Sequence, residues 1–263
     1  IKGEIQSLED LVSVTPEQFR EERDIDLRTG HDVVDIDPDG KTVTARSEDG
    51  EVVQPYDRLL IATGAAAVTP PIDGLDRTGV YTLGSMSDGK DLREYVGRAR
   101  SDGNLQQPDR GPACQFLEDC AGPVGIVGGG YIGVEMAEAL AANGFEVHLF
   151  QRGDRILKQF SEATSEAVLD HLDEQNVAVY LGSEVEALDG DDDVEAVVTT
   201  SERIPVEIVL VGTGVRPRTE LAEAAGIELG ETGAIATDRY RETSVADVYA
   251  AGDCAEAEHV VTG

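Results

Sequence analysis

The sequence predicts an α/β fold of three layers, built from a parallel sheet, helices that cover it and an antiparallel meander. Two features carry this prediction. After Val124, short apolar runs alternate with segments of helical periodicity, the pattern of β-α-β units and hence of a parallel sheet. Before Ala62, β-rich runs are separated only by short turns, the pattern of antiparallel hairpins. The 263 residues suffice for one large domain or two ordinary ones.

The meander is predicted from turn residues between β-rich runs. Turns at Pro38-Asp39-Gly40 and Asp49-Gly50 separate three expected strands, Val33–Ile36, Thr42–Ala45 and Glu51–Val53. A fourth run, Leu59–Ala62, is wholly apolar, which is typical of a strand buried on both faces. It ends at Thr63-Gly64.

The alternating half of the chain supplies the parallel sheet. Its strands are predicted at Val124–Val127, Glu146–Phe150, Val177–Tyr180 and Ile208–Val211. The intervening helices should run from Tyr131 to Asn143, ended by Gly144, and from a Ser161 cap to Gln175. A polar hairpin precedes the last strand, and the acidic run 189–193 is expected at its solvated tip. A further helix over 88–100 leads into 101–123, a linker or surface insertion rich in Gly, Pro, Asp and Gln.

Charge and hydropathy exclude several classes of partner. Acidic residues number 53 against 21 basic ones, a formal net charge of −32, so broad electrostatic attraction to nucleic acid or to anionic lipid is not expected. No membrane span is predicted, because the long uncharged run 121–134 is too short and is rich in glycine. The acidic residues are spread along the chain, which predicts a solvated, halophile-type surface rather than an acidic tail.

The three cysteines, Cys114, Cys120 and Cys254, cannot form a disulfide framework and include no Cys-x-x-Cys pair. A reduced, cytoplasmic setting is therefore the expectation. The chain opens in mid-pattern at Ile1-Lys2 without an initiating methionine, so we expect a fragment of a longer protein.

A glycine-rich loop follows the first strand of the alternating half. Gly128, Gly130 and Gly133 form Gly-x-Gly-x-x-Gly between that strand and its helix. In this context the first glycine permits a tight turn, the second lets a pyrophosphate approach the backbone, and the third lets the helix lie close to the strand. The helix N-terminus then faces the anion. The alternative is a glycine turn that serves packing alone.

The end of the second strand bears on which dinucleotide is bound. NAD-specific sites usually place an acidic residue there, about 20 residues beyond the glycine loop, but this chain has Gln151 and Arg152. Arg152 could pair with a 2′-phosphate, so NADPH is at least as plausible as NADH. Equally, Arg152 could be a solvated turn residue and Gln151 could hydrogen-bond a ribose.

Three further strands run into turns of small residues. These turns are Ala62-Thr63-Gly64, Gly212-Thr213-Gly214 and Ala251-Gly252-Asp253. Small residues at strand ends allow a flat ring or a phosphate to approach the backbone, and Asp253 could accept hydrogen bonds from polyol hydroxyls. Each turn taken alone is also compatible with an ordinary connection.

Taken in order, these motifs resemble the two-dinucleotide flavoproteins, the pyridine nucleotide-disulfide oxidoreductases, over nearly the whole chain. The matching segments are Thr63-Gly64, Gly128 to Glu135, Gly212 to Pro217 and Tyr249 to Cys254. Within that family, Thr15-Pro-Glu-Gln-Phe19, Val33 to Asp37 and His259 to Gly263 are most similar to the coenzyme A-disulfide reductase and NADH oxidase branch.

The resemblance implies a Rossmann-like NAD(P)-binding domain, residues 122–236, inserted into an FAD-binding domain formed by 1–121 and 237–263. It assigns FAD contacts to Val33, Thr63, Gly64, Gly252 and Asp253. It assigns the NAD(P)H pyrophosphate to Gly128, Gly130, Tyr131, Ile132 and Gly133, with Tyr131 gating the nicotinamide pocket and Gly214 contacting its nicotinamide end. Glu135 matches a carboxylate near the flavin and is the candidate catalytic residue; the alternative is a first-turn helix carboxylate.

The same branch keeps a basic residue for its thiol substrate where this chain has Arg23, with Arg20 as a second candidate. A guanidinium suits a nucleotide phosphate. The alternative for Arg23 is an intrahelical ion pair with Glu17 or Glu22.

Three family features are missing from this sequence. The first glycine-rich motif for FAD and the redox cysteine would have to precede Ile1, and the dimerisation domain would have to follow Gly263. None of the three cysteines stands at the redox position. The resemblance implies a homodimer for the full-length protein.

The predicted activity is transfer of hydride from NAD(P)H through FAD to a small disulfide, coenzyme A-disulfide, persulfide or oxygen. Two alternatives remain at this point. One is a nucleotide-binding redox module without turnover, and the other is a one-cofactor Rossmann dehydrogenase, which leaves the Thr63-Gly64 and Gly252-Asp253 motifs unexplained.

Overall fold

The computed structural model describes residues 14–83, 88–90, 92 and 121–257. The packing divides them into two compact units. One unit contains Ala67–Gly214, and the other combines the chain before it with the chain after it. The functional boundaries near residues 121 and 236 remain predictions, and the two units are described separately.

Fifteen strands and four helices have both of their ends within the described residues. The strands are β1 Asp32–Asp37, β2 Thr42–Ser47, β3 Gly50–Pro55, β4 Leu59–Ile61, β5 Ala65–Ala67, β6 Val80–Thr82, β7 Ala121–Val127, β8 Phe145–Gln151, β9 Val177–Leu181, β10 Val185–Asp189, β11 Ala196–Thr199, β12 Arg203–Pro205, β13 Ile208–Val211, β14 Val215–Pro217 and β15 Val248–Ala250. The helices are α1 Pro16–Glu21, α2 Tyr131–Ala141, α3 Glu162–Glu174 and α4 Glu220–Ala224.

The first unit is built on a parallel five-stranded sheet in the order β6-β13-β7-β8-β9. Its strands alternate between two apolar faces. Val124, Val147 and Leu210 pack in the cluster that includes α2 and α3 residues, while Val127 and Val209 pack on the opposite face. The predicted parallel sheet is thus confirmed.

The opposite face is covered by a second sheet. Strands β10, β11 and β12 form an antiparallel sheet whose Leu188, Val197 and Ile204 join the Val127 and Val209 cluster. This sheet is the predicted polar hairpin, and the acidic residues 191–193 lie exposed beyond β10. The layers of this unit are therefore helix, parallel sheet and antiparallel sheet. The antiparallel sheet has an apolar side, and it buries that side by packing on the face of the parallel sheet opposite the helices.

The caps of α2 and α3 follow the sequence signals. The Ser161 hydroxyl accepts a hydrogen bond from the Thr164 amide at 3.2 Å, and Gly144 has φ of +84°, the left-handed conformation expected just beyond a helix end. Of the helix predicted over 88–100, residues 88–90 and 92 are helical, and the remainder lies outside the described residues.

The second unit contains the predicted meander. Strands β1, β2 and β3 form an antiparallel sheet in that order, and the turn after β1 is held by Asp37, whose carboxylate accepts the amides of Asp39 and Gly40. Its core gathers Ile36 with Ile235 and Val248. Helix α4 packs on β1.

The fourth predicted strand is β4, which pairs in parallel with β15. Its expected burial on both faces is wrong, since Ile61 is buried but Leu60 is 59% exposed. Within the described residues the core of the unit covers one face of this two-stranded sheet and leaves the side of Leu60 open.

Within the described residues, no helix combines the length and apolar character that crossing a membrane requires.

Candidate functional site

Three sequence motifs meet at the carboxyl edge of the parallel sheet. The register places Val127, the end of β7, beside both Val211 of β13 and Phe150 of β8. The residues that follow these strands therefore lie together, and we call Gly128–Gly130, Gln151-Arg152 and Gly212–Gly214 the glycine edge. The chain order reverses between β7 and β13, and such switch points are where open parallel sheets bind ligands.

Packing within the protein accounts for two of the three motif glycines. Gly128 has φ of +114°, and a Cβ there would clash with the carbonyl oxygen of Gly212. A Cβ on Gly133 would clash with the carbonyl oxygen of Gly128. These contacts bring β7, β13 and α2 close together, as the motif predicts.

Gly130 is different, because nothing in the described part of the chain requires a glycine there. Its φ and ψ are −83° and −170°, an extended conformation open to other residues. Apart from its neighbours Gly129 and Tyr131, no atom of the described residues lies within 4 Å of a Cβ built on it. Gly130 is also the N-cap of α2 and supplies no side-chain cap to the helix amides. The space above it therefore faces amide donors that have no intrahelical partner, an arrangement suited to an anion.

The loop after β8, residues 152–160, braces the glycine loop. The Gly129 amide donates to Gln151 Oε1 at 2.9 Å, and the Gly129 carbonyl accepts from the Leu157 amide at 2.8 Å. Gln151 Nε2 in turn donates to the carbonyl of Arg155 at 3.2 Å. Both ends of the Gln151 side chain are thus engaged by the protein, which favours a bracing role over ribose binding.

Three basic side chains lie in this loop, within the seven residues 152–158. Arg152 is 81% exposed and has a single long ion pair, 3.9 Å to Glu184, among the described residues. Lys158 is 56% exposed and 3.4 Å from Asp154, and the Arg155 guanidinium donates to the Lys158 carbonyl. In a chain with a net charge of −32 this is a local concentration of cations.

The first residues of α2 carry the other predicted contacts. Tyr131 is 54% exposed and Ile132 is half-buried. Glu135 is exposed and lies in the second turn, since the first turn of α2 contains no acidic residue. The alternative reading of Glu135 as a first-turn carboxylate is therefore wrong.

A second edge brings together the remaining turns in the other unit. Because β4 and β15 are parallel, with Ala250 beside Ile61, the segments 62–64 and 251–253 leave the same edge of that sheet. We call Thr63-Gly64 with Gly252-Asp253 the flat edge. Gly64 and Gly252 have φ of +68° and +79°, and no atom lies within 4 Å of a Cβ built on either. Their backbone surface is open, as the approach of a ring or phosphate requires.

The flat edge is held by its own hydrogen bonds. The Thr63 hydroxyl donates to the Arg218 carbonyl at 2.7 Å, and the Arg218 amide donates to the Gly64 carbonyl at 2.9 Å. Gly214, at the glycine edge, accepts from the Val68 amide at 2.9 Å and has φ of +107°. Turn geometry thus contributes to the choice of glycine at 64 and 214.

Two further predicted residues belong to other elements of the second unit. Val33 is on β1 of the meander and is 36% exposed. Arg23 follows α1, and its guanidinium lies 5.5 Å from the centroid of the Phe19 ring. Within the described residues it forms no ion pair with Glu17 or Glu22.

Cys254 is fully buried, with its thiol 3.3 Å from the Ala251 carbonyl oxygen, which places it in the core. Cys114 and Cys120 lie outside the described residues. In the part of the chain that the structure describes, no group of three or more His, Cys, Asp and Glu side chains is arranged to hold a metal.

Sequence reasoning missed two features of the glycine edge. Phe160 forms an edge-to-face pair with Tyr131. The Leu157 amide donates a hydrogen bond to the Gly129 carbonyl, and because the bond joins backbone atoms it could not be predicted from the residue type. Leu157 has φ of +46°, uncommon for a non-glycine residue. No signal in the sequence places Phe160 beside Tyr131, because the two residues lie 29 positions apart.

The pyridine nucleotide-disulphide oxidoreductase family matches residues 2–263. The chain belongs to this family. It is 38% identical over 259 residues to a CoA-dependent NAD(P)H sulfur oxidoreductase of Pyrococcus abyssi, covering 98% of this chain and 53% of the relative. It is 33% identical over 265 residues to an NADH oxidase of Methanocaldococcus jannaschii, covering 100% and 54%.

Solved structures agree with the family assignment. An NAD-dependent persulfide reductase from A. fulgidus superimposes with a TM-score of 0.84 at 31% identity, over 97% of this chain and 44% of that one. The relatives bear out the coenzyme A-disulfide reductase and NADH oxidase branch. The chain spans about half the length of the curated relatives it matches.

Proposed function

We propose that this protein is an FAD-dependent NAD(P)H oxidoreductase that reduces a small disulfide, coenzyme A-disulfide, persulfide or oxygen. One observation carries the proposal: the open space above Gly130, beside uncapped amides of α2. Packing explains Gly128 and Gly133 but leaves Gly130 unexplained, and a bound pyrophosphate explains it. Family membership and the relatives named above support the same reading.

At the glycine edge, we assign the pyrophosphate to the backbone of Gly128, Gly130 and Gly133 with Tyr131 and Ile132. The amides of the first turn of α2 would donate to its oxygens. Gly214, exposed after β13 at the same edge, would contact the nicotinamide end, and Glu135 would lie on the flavin side.

We further propose NADPH as a substrate of this site alongside NADH. Gln151 offers no carboxylate to repel a 2′-phosphate, and it is engaged in bracing Gly129. Arg152 is exposed just after β8, and among the described residues its one ion pair is the 3.9 Å contact to Glu184, so it is available for a charge-assisted bond. Lys158 adds positive charge to the same loop.

The flat edge is the proposed seat of FAD. The open backbone at Gly64 and Gly252 fits a close approach of the cofactor, Thr63 would line its pyrophosphate region, and the exposed carboxylate of Asp253 would accept hydrogen bonds from the ribityl chain. Val33 would meet the adenine through its backbone. When bound, FAD supplies the two-electron chemistry, and the protein's part is placement and exclusion of water.

A one-cofactor dehydrogenase would leave the flat edge without a role. A redox module without turnover would bind the same two cofactors as the proposed oxidoreductase and would differ from it only in having no electron acceptor. If a thiolate takes part, Cys254 cannot supply it, because its sulfur is buried and hydrogen-bonded to backbone carbonyls.

Arg23 is the proposed contact for a coenzyme A-type substrate. Its guanidinium rests on the Phe19 ring, which holds the side chain. No acceptor among the described residues engages its donors, which suits binding of a phosphate. Changing Arg23→Ala should raise the KM for coenzyme A disulfide with little change for a substrate that lacks the nucleotide; equal KM values for both proteins would remove the assignment.

For the setting of the protein, we propose a cytoplasmic, halophile-type protein that works as a homodimer at full length. The net charge of −32 and the dispersed acidic residues support the surface assignment.

The test is a visible absorption spectrum of the complete protein, followed by anaerobic titration with NADH and with NADPH. A yellow protein whose flavin absorbance bleaches with either dinucleotide is expected. A colourless protein that stays colourless after incubation with FAD would contradict the flavoprotein assignment.

The NADPH assignment is tested by Arg152→Ala in the same titration. We expect the Kd for NADPH to rise about tenfold, the scale of one charge-assisted phosphate contact, while that for NADH stays the same. Arg203→Ala is the matched control, because that guanidinium already pairs with Asp189 at 2.8 Å. Equal losses for NADH and NADPH would count against a 2′-phosphate contact.

A further inference from the structure

Phe160 and Tyr131 form an exposed aromatic pair beside the glycine edge. Their ring centroids are 5.4 Å apart with an interplanar angle of 79°, the edge-to-face geometry that aromatic rings prefer. Tyr131 is 54% exposed and Phe160 is 40% exposed. Burial in the core therefore does not account for their positions, and the mutual contact holds both rings.

The backbone of Phe160 is fixed relative to the glycine loop. The Phe160 amide donates to the Leu157 carbonyl at 2.9 Å, and the Leu157 amide donates to the Gly129 carbonyl at 2.8 Å. Tyr131 is the first residue of α2, directly after Gly130. The pair thus joins two segments that are both attached to the peptide before Gly130.

Tyr131 directly follows Gly130, so its side chain starts beside the space above that glycine. Its ring rests edge-on against Phe160. A tyrosine at the first helical position, released from its partner, would sample other rotamers, some of them over the helix N-terminus.

We propose that Phe160 is a positioning residue that holds the Tyr131 ring against the 152–160 loop and keeps the dinucleotide seat above Gly130 clear. Phe160 acts through Tyr131 and does not itself contact the ligand. The inference rests on the proposed function, since it requires a nicotinamide dinucleotide at the glycine edge.

The test is a double-mutant cycle read by calorimetric titration of NADH into the complete protein under anaerobic conditions. Phe160→Leu should raise the Kd for NADH about fivefold, because an aromatic pair contributes ~1 kcal/mol and this energy corresponds to about a fivefold change in an equilibrium constant. Phe160→Tyr keeps an aromatic edge and should bind like the wild type. In a Tyr131→Ala background, Phe160→Leu should have no further effect, because no ring remains to be held.

Other outcomes overturn the proposal. If Phe160→Leu raises the Kd equally with and without Tyr131, Phe160 supports the loop and does not position the ring. An unchanged Kd in Phe160→Leu also refutes it. Leu181→Ala, at a residue of equal 40% exposure on β9, controls for loss of surface apolar area, and thermal unfolding of each variant checks folding. A wild type that binds no NADH would instead overturn the proposed function.

Discussion

His148 shows how its surroundings set the protonation of a single residue. It lies on β8 with its side chain 12% exposed, Nε2 is 3.3 Å from Glu146 and Nδ1 is 3.1 Å from the Tyr180 hydroxyl. Burial lowers the pKa of His148 below its ordinary 6.5, and the carboxylates of Glu146 and Glu202 oppose that shift without reversing it. The imidazole is therefore neutral in the folded protein at neutral pH.

This depressed pKa predicts a loss of stability in mild acid. As the pH falls below 6.5, the unfolded chain binds a proton at His148 before the folded protein does. The free energy of unfolding therefore decreases as the pH falls from 6.5 to the lower pKa that His148 has in the folded protein. The His148→Gln substitution should make this decrease smaller. The check is the free energy of unfolding, measured by urea denaturation between about pH 7 and 5, the range in which histidine titrates.

His171→Gln is the control for the histidine prediction, because the His171 side chain is 52% exposed. A His148→Gln protein with the same pH dependence as the wild type would show that burial of this imidazole does not set acid stability.

At the residue scale, the sequence predicted the backbone glycines better than the side chains. Gly128 and Gly133 are required by contacts that the motif spacing implies. The engagement of Gln151 with Gly129 and Arg155 was not predictable, because a carboxamide at a strand end serves a ribose or a neighbouring loop equally well. Which it serves depends on the path of residues 152–160.

At the element scale, the cap of α3 gives a direct stability prediction. Ser161 Oγ accepts the Thr164 amide and lies 2.8 Å from the Thr164 hydroxyl. Ser161→Ala should lower the free energy of unfolding of the first unit by ~1 kcal/mol, measured by urea denaturation. Ser161→Asp retains a cap and should be close to the wild type; an Ser161→Ala protein as stable as the wild type would show that the cap contributes nothing measurable.

Most elements were predictable because their signals are local. Turn residues fixed the meander, and apolar periodicity fixed β7, β8, β9 and β13. Burial of β4 was not predictable in the same way, because an apolar run indicates what a strand can bury and not what covers it. Leu60 illustrates this difference, because it belongs to the apolar run and is 59% exposed.

At the scale of the whole molecule, the net charge of −32 makes stability depend on salt. Like charges repel more strongly in the compact state, and the Debye length falls from about 30 Å at 0.01 M to ~10 Å at 0.1 M salt. The thermal unfolding midpoint should therefore rise with KCl over this range. Equal concentrations of a neutral osmolyte serve as the control, and a midpoint insensitive to KCl would contradict a charge-dominated surface.

Gly130 is kept small for a dinucleotide and not for the fold. The direct measurement is the Kd for NADH of Gly130→Ala, determined by calorimetry alongside its thermal unfolding midpoint. We expect an unchanged midpoint, because the Cβ enters open space, and a Kd raised at least about tenfold, because the methyl group meets the pyrophosphate. A Gly130→Ala protein that folds normally and binds NADH as tightly as the wild type would show that Gly130 is not kept for a dinucleotide.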